Sequence, residues 1–147
     1  MNSSMTRFVI REFQFPQDYA AARRLWEIAG PGVHPGRSDE PGEIQKKLQR
    51  DPDLFLVAEA DDQLVGTVLG GFDGRRGMIY HLAVAQSYRR SGIGAKLMDE
   101  LENRLRLKGC LRSYLLVTTD NENAIKFYQR RGWEPMETLF IYAKDLD

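Results

Sequence analysis

LAVAQSYRRSGIGAKLM, residues Leu82–Met98, passes from an apolar run through a Ser/Arg/Gly loop and into a helical pattern. The run that ends there, Met78–Ala85 (MIYHLAVA), reads as a strand. The run that begins there, Gly92–Lys108, carries Ile93, Leu97, Leu101 and Leu105 at four-residue spacing, with Gly109 placed to end it. The first turn of a helix leaves N–H groups without partners, and the macrodipole puts partial positive charge at its mouth. Small residues at Gly92 and Gly94 let a pyrophosphate approach such amides, and Arg89 and Arg90 add full charge. The same glycines also suit a plain turn with solvated arginines, so the loop alone leaves both readings open.

Two phosphate-binding alternatives are excluded by inspection. A P-loop closes on Gly-Lys followed by Ser or Thr, and none is present. A dinucleotide loop needs a third glycine where Leu97 stands, and an acidic residue at the end of the next strand, where the chain has Thr118 and Thr119.

Outward from the loop, the rest of the chain alternates in style. Arg7–Phe13 reads as a first strand, and a helical pattern runs from Pro16 to Ala29 through Ala22, Leu25 and Trp26. Gly30–Pro41 is rich in Gly and Pro and reads as an irregular loop, followed by a short helix over Gly42–Arg50. Leu54–Ala60 is nearly continuous in apolar residues, as a strand covered on both faces should be. Asp61-Asp62 turns the chain into Leu64–Gly70, and Asp73-Gly74 turns it into Met78–Ala85, which predicts an antiparallel meander. Beyond the long helix, Leu111–Thr118 reads as a strand, Asn121–Arg131 as an amphipathic helix capped by Gly132, and Thr138–Ala143 as a last strand.

The order β-α-(α)-β-β-β-α-β-α-β is that of one mixed α/β (α+β) domain over 1–147, structured from about residue 7 to 145, with residues 1–5 flexible. Its 147 residues suffice for one core. Lys plus Arg equals Asp plus Glu at 21 each, which argues against a general nucleic-acid partner. Cys110 is the only cysteine, so neither an internal disulfide nor a multi-cysteine metal site can form. With no apolar run at the start or of membrane-spanning length, a cytoplasmic protein without a membrane partner is expected.

The chain resembles the GCN5-related N-acetyltransferases. Their motif, Arg or Gln, two residues, Gly, one residue, then Gly or Ala, matches Arg89, Gly92 and Gly94 within the frame Leu82–Met98. A second block, Asn-x-x-Ala-Ile-x-x-Tyr followed by Gly and an aromatic, matches Asn121, Ala124, Ile125, Tyr128, Gly132 and Trp133. The likeness spans about Arg7 to Asp145, and LFLVAEADDQLVGTVLGGFDGRRG also looks like the small bacterial YpeA-type branch.

The resemblance implies a mixed, mostly antiparallel sheet flanked by helices, in which Met78–Ala85 and Leu111–Thr118 splay apart. Acetyl-coenzyme A would enter between them as cosubstrate, with no metal. Backbone groups around Leu82, Ala83 and Val84 would pair with the pantetheine arm. Amides from Arg89 or Arg90 through Ser91, Gly92, Ile93, Gly94 and Ala95 would hold the pyrophosphate. Asn121 would hydrogen-bond the pantetheine, and Tyr128 would face the thioester sulfur as general acid. The acceptor would be an amine, and a homodimer would fit the family's habit.

An alkyl amine is almost wholly protonated at neutral pH, so its proton must go somewhere before it can attack. Glu59, in an apolar strand where burial raises a carboxylate's pKa, is one candidate base. Tyr80 is another, on the face that strict alternation shares with Leu82 and Val84, although a neutral phenol is a poor base. The same alternation turns His81 to the opposite face, as a packed residue. Cys110 reads as a small packed side chain and His34 as an exposed loop residue, while the loop Gly30–Asp39 would carry acceptor specificity. An acyl-coenzyme A sensor without turnover is the alternative from another class.

Overall fold

Apolar continuity in the middle of the chain produces the centre of a sheet. The structure, a computed structural model, describes residues 6–30 and 33–147; residues 1–5, expected to be flexible, and Pro31–Gly32 in the expected loop lie outside them. Strands β1 (Val9–Glu12), β2 (Phe55–Ala60), β3 (Gln63–Phe72), β4 (Arg76–Val84) and β5 (Arg112–Leu115) form one sheet in that spatial order. The first three pairings are antiparallel and β4–β5 is parallel. The meander is as expected, its first turn held by Asp61 and Asp62 at φ 53° and 59°, the left-handed region that Asp tolerates.

Helices α1 (Tyr19–Ile28) and α2 (Pro41–Arg50) cover one face, and α3 (Ile93–Leu107) covers the other with α4 (Glu122–Arg130) beside it. The α3 stripe does what its spacing predicts. Ile93, Leu97, Leu101 and Leu105 are all buried against Leu54, Leu56, Ala58 and Ile79 of the sheet, at about 1.5–3 kcal/mol for each side chain. On the opposite face Trp26 and Ile44 pack against Phe55, Val57 and Leu69. Strand β2 is therefore buried on both sides, which explains its unbroken apolar sequence.

The C-terminal expectation fails. Thr138–Ala143 forms no strand, and Phe140 and Tyr142 stand 89% and 90% exposed. A strand needs a partner, and β5 is itself only four residues long, ending at Leu115 rather than Thr118. The tail instead reaches Arg37, whose guanidinium bonds the Asp147 carbonyl at 2.8 Å and lies 4.0 Å from Asp145.

Close approach of α3 depends on the absence of a side chain at Gly66. A Cβ there would stand 3.0 Å from Ile93 and from Leu97 and 3.3 Å from Ala58, all buried. Gly66→Ala is expected to lower unfolding free energy by about 1–3 kcal/mol, read as a lower urea midpoint with unchanged slope.

Candidate active site

The parallel pairing of β4 with β5 runs only from Arg76↔Arg112 to Ile79↔Leu115. β4 continues alone through Tyr80–Val84, leaving roughly 16 Å of strand edge without a neighbour. Direction along that edge is fixed by two bonds. Ala85 N–H donates to Val65 on β3, whereas the Val84 carbonyl accepts from Arg89 Nε on the far side, at 3.1 Å. Alternation aims the N–H group of Val84 at the open edge and that of Ala83 at β3. Of the residues expected around the pantetheine, Leu82 and Val84 lie on the stretch of β4 that β5 does not cover. Ala83 lies there too, but it pairs with Thr67 and is buried in the cluster that holds Trp26.

A bulge interrupts β4 at the same place. Thr67 pairs with Ala83 and Leu69 with Tyr80, so Val68 alone faces both His81 and Leu82. His81 takes φ 50°, and its carbonyl accepts from Thr67 Oγ1 at 2.8 Å, which accepts in turn from Trp26 Nε1 at 2.9 Å. The extra residue changes the parity of the strand. Leu82 and Val84 pack toward α3, while Tyr80 and His81 both line a cleft of about 870 Å³ on the α2 side. The expectation that Tyr80 shares a face with Leu82 and Val84, with His81 opposite, is therefore corrected. Burial pushes the Tyr80 phenol up from its ordinary value, which keeps it neutral and unfit as a base.

His81 has a partner that sequence reasoning missed. Its Nε2 lies 2.8 Å from Oδ1 of Asp39, 42 residues away, in the short 3-10 turn Arg37–Asp39 before α2. Asp39 is only 5% exposed; its other carboxylate oxygen accepts the Gly36 N–H, and its carbonyl accepts the Tyr19 hydroxyl. No local motif marks the pair, because only the bulge turns His81 toward this turn.

The glycine loop is built as a helix mouth, with one change to its expected donors. Gly92 sits at φ 87°, and the first intrahelical bond runs from Lys96 N–H to the Gly92 carbonyl. The N–H groups of Ile93, Gly94 and Ala95 thus lie ahead of the helix ladder and donate to no backbone carbonyl. Ser91 Oγ donates to the Tyr88 carbonyl, which fixes the loop from inside. Ile93 contributes its amide only, since its side chain is core. Arg89 departs from expectation. Its amide donates to Gln86, and its guanidinium bonds the carbonyls of Val84 and Ala29, the latter at 2.9 Å. It therefore staples the loop to β4 and to the end of α1. Arg90, exposed and held at φ 65°, carries the loop's charge and has no carboxylate partner among the described residues.

α4 closes the third side. A Cβ on Gly94 would lie 3.7 Å from Phe127 and 3.8 Å from Val84, so loop, strand edge and helix meet there. Asn121 caps α4, its Oδ1 accepting the Ala124 N–H at 3.3 Å, which leaves its amide nitrogen for another partner. Tyr128 packs between Phe127 and Trp133, and among the described residues its hydroxyl makes no hydrogen bond. Burial pushes that phenol up to about 12.

Glu59 does not join these groups. It lies on β2 with Oε1 2.8 Å from Arg11 Nε, in an ion pair that Arg11 shares with Asp18. A carboxylate already committed to a guanidinium, two strands from the open edge, is not placed to take a proton there. Cys110 is half-buried with Sγ against the Arg112 carbonyl, and His34 is exposed, both as expected. Among the described residues no helix is long and apolar enough to cross a membrane.

The chain has counterparts among known proteins. A profile of the Acetyltransferase (GNAT) family matches residues 19–133. An acetyltransferase of Sodalis glossinidius is 39% identical over 137 residues, covering 93% of this chain and 94% of its own. One from Pectobacterium atrosepticum is 38% identical over 124 residues, covering 84% and 86%. Among solved structures, Ard1 from Thermoplasma volcanium superposes with TM-score 0.74 at 28% identity, over 85% of this chain and 81% of that one. Fold, motif residues and relatives agree, and the chain belongs to the GNAT acetyltransferase family.

Proposed function

We propose that this chain transfers the acetyl group of acetyl-coenzyme A to a primary amine by direct attack of the amine on the thioester. The observation that carries the reading is the convergence at Gly94 of three things: unpartnered first-turn amides, an unpaired β4 edge, and α4, whose Phe127 stands beside the half-buried Tyr128. Family membership supports the same cosubstrate, and no observation favours a sensor without turnover.

Each group has a physical task in this reading. The N–H groups of Ile93, Gly94 and Ala95, at the positive end of α3, hold the pyrophosphate, with Arg90 as the nearby full charge. The open-edge groups of Leu82 and Val84 continue the sheet onto the pantetheine arm, and the Asn121 amide nitrogen supplies a further donor. The Val84 N–H is aimed where a carbonyl oxygen gains negative charge during attack. Tyr128 then donates to the departing sulfur. With its pKa near 12 against about 8.5 for a thiol, full proton transfer is uphill by roughly 5 kcal/mol. Tyr128 therefore stabilises the thiolate by hydrogen bonding, and the proton that completes the thiol arrives from solvent. The amine enters from the opposite face, through the cleft under α2. One N-acetyltransferase domain over 1–147, working in the cytoplasm, is the simplest setting for a single-cysteine chain of this kind.

Gly94→Asp tests the anion site without disturbing the fold. The site has room for a Cβ, and an acidic residue in the first turn of α3 suits the dipole. Its melting temperature is expected to hold or rise while calorimetry shows coenzyme A affinity at least ~10²-fold weaker; equal affinity would remove the loop from the site. Tyr128→Phe is expected to lower kcat by roughly 10²-fold, the order for losing one donor to a developing charge, in a thiol-release assay against an amine panel. The same variant has an alkaline signature. A phenol raised in the folded state keeps a proton that the unfolded chain gives up, so its contribution is intact below about pH 10 and is lost by about pH 12. Urea midpoints across that window should fall less steeply in the variant, by about 2–3 kcal/mol in total.

A further inference from the structure

We infer that His81 is the catalytic base that takes the amine's proton, positioned for the task by Asp39; the inference rests on the acetyl-transfer reading above. Three observations carry it. The bulge at His81 turns its side chain, together with Tyr80, into the cleft on the side opposite α3 and α4. Asp39 is buried and, as a carboxylate, can only accept, so the Nε2 it meets at 2.8 Å carries the hydrogen. The lone pair is then on Nδ1, for which no hydrogen-bond partner is found among the described residues. The ring is also fixed in place, 4.7 Å from Trp26, whose indole N–H anchors Thr67 and through it the His81 carbonyl. A held imidazole with one nitrogen oriented by a carboxylate and the other free is the arrangement a general base requires.

The other charges around the cleft are spoken for. On α2, Lys47 bonds Asp51 at 2.6 Å and Lys46 bonds Glu43 at 2.8 Å, while Arg50 lies 3.6 Å from Asp51 and bonds the Phe72 carbonyl. Asp73 accepts the turn amides of Arg75 and Arg76. The Arg76 guanidinium lies over the Tyr114 ring. Tyr19 faces Asp39 from α1 but bonds its carbonyl, not its carboxylate. Asp39 is thus the one carboxylate that His81 contacts among the described residues.

In the reaction the bound ammonium gives one proton to Nδ1 of His81, and the neutral nitrogen attacks the thioester carbon. The C–N bond forms as the C–S bond breaks, and sulfur leaves as thiolate. The nitrogen loses its second proton, one proton completes the thiol, and the one held by His81 returns to solvent. One amide, one thiol and one net proton result.

The chain has only two histidines, so a His34→Gln background leaves His81 as the single imidazole signal for NMR titration. Wild type and His81→Gln are compared by thiol release with spermidine, L-lysine and a free-N-terminus tripeptide as acceptors. The expected result is a loss of roughly 10²–10⁴-fold in kcat/KM for His81→Gln, with coenzyme A affinity by calorimetry unchanged. The acidic limb of the kcat/KM profile should coincide with the His81 titration, and Asp39→Asn should lower kcat/KM while coenzyme A affinity holds. A role confined to holding the fold would not tie the limb to His81. Acetylation by wild type with an acidic limb that does not follow His81, or a His81→Gln variant within about threefold of wild type, overturns the inference and leaves the acetyl-transfer reading standing. If His81→Gln fails to fold, the coincidence of limb and titration decides alone. No thiol release by wild type from any of the three acceptors removes the reading and the inference together.

Discussion

β4 shares hydrogen bonds with β5 for four residues and then loses its neighbour, and nearly everything chemical in this chain is arranged around that loss. An unpaired strand edge is ordinarily a liability, since its N–H and C=O groups invite any extended chain to pair. Here the exposed stretch is short and bounded. Arg89 covers its end by bonding the Val84 carbonyl, and α4 stands over one side. What remains is a slot with directional donors, shaped for an extended arm that carries its own amide groups.

The two faces of the split sheet divide the labour. On the α3 side, Gly66 lets the helix lie close, so that its first turn ends beside the slot and its bare amides face the same direction. On the α2 side, the bulge brings Tyr80 and His81 into the cleft and draws His81 to Asp39. One irregularity in β4 therefore puts the open edge and the helix mouth on one side of the sheet and the His81–Asp39 pair on the other, the division that the proposed transfer would use. The bulge is secured by buried hydrogen bonds through Trp26 and Thr67. Such bonds are costly to break away from water, which keeps the parity change in place.

Legibility in the sequence followed the range of the interactions. The α3 stripe, the doubly buried β2 and the turns at Asp61-Asp62 and Asp73-Gly74 rest on local periodicity and local dihedral preference, and they stand where the sequence places them. Thr138–Ala143 has strand-forming residues but no ladder, because a strand's existence depends on a partner that local composition cannot supply. The roles first assigned along β4 went astray for a related reason. A period of two was assumed through His81, and one inserted residue reverses every side chain on one side of it.

The sequence by itself determined where this helix begins, since the four-residue stripe from Ile93 follows directly on Gly92, a residue free to take the positive φ found there. It also determined the presence of a tyrosine on α4 and the order of strands and helices as far as α4. Only the tertiary structure decided that Arg89 binds carbonyls rather than facing the loop, that Glu59 is held by Arg11, and that His81 meets Asp39 across 42 residues. The physical reason is common to all three. A side chain's partner is set by which distant segment arrives beside it, and that depends on how whole elements pack rather than on the neighbours it has along the chain.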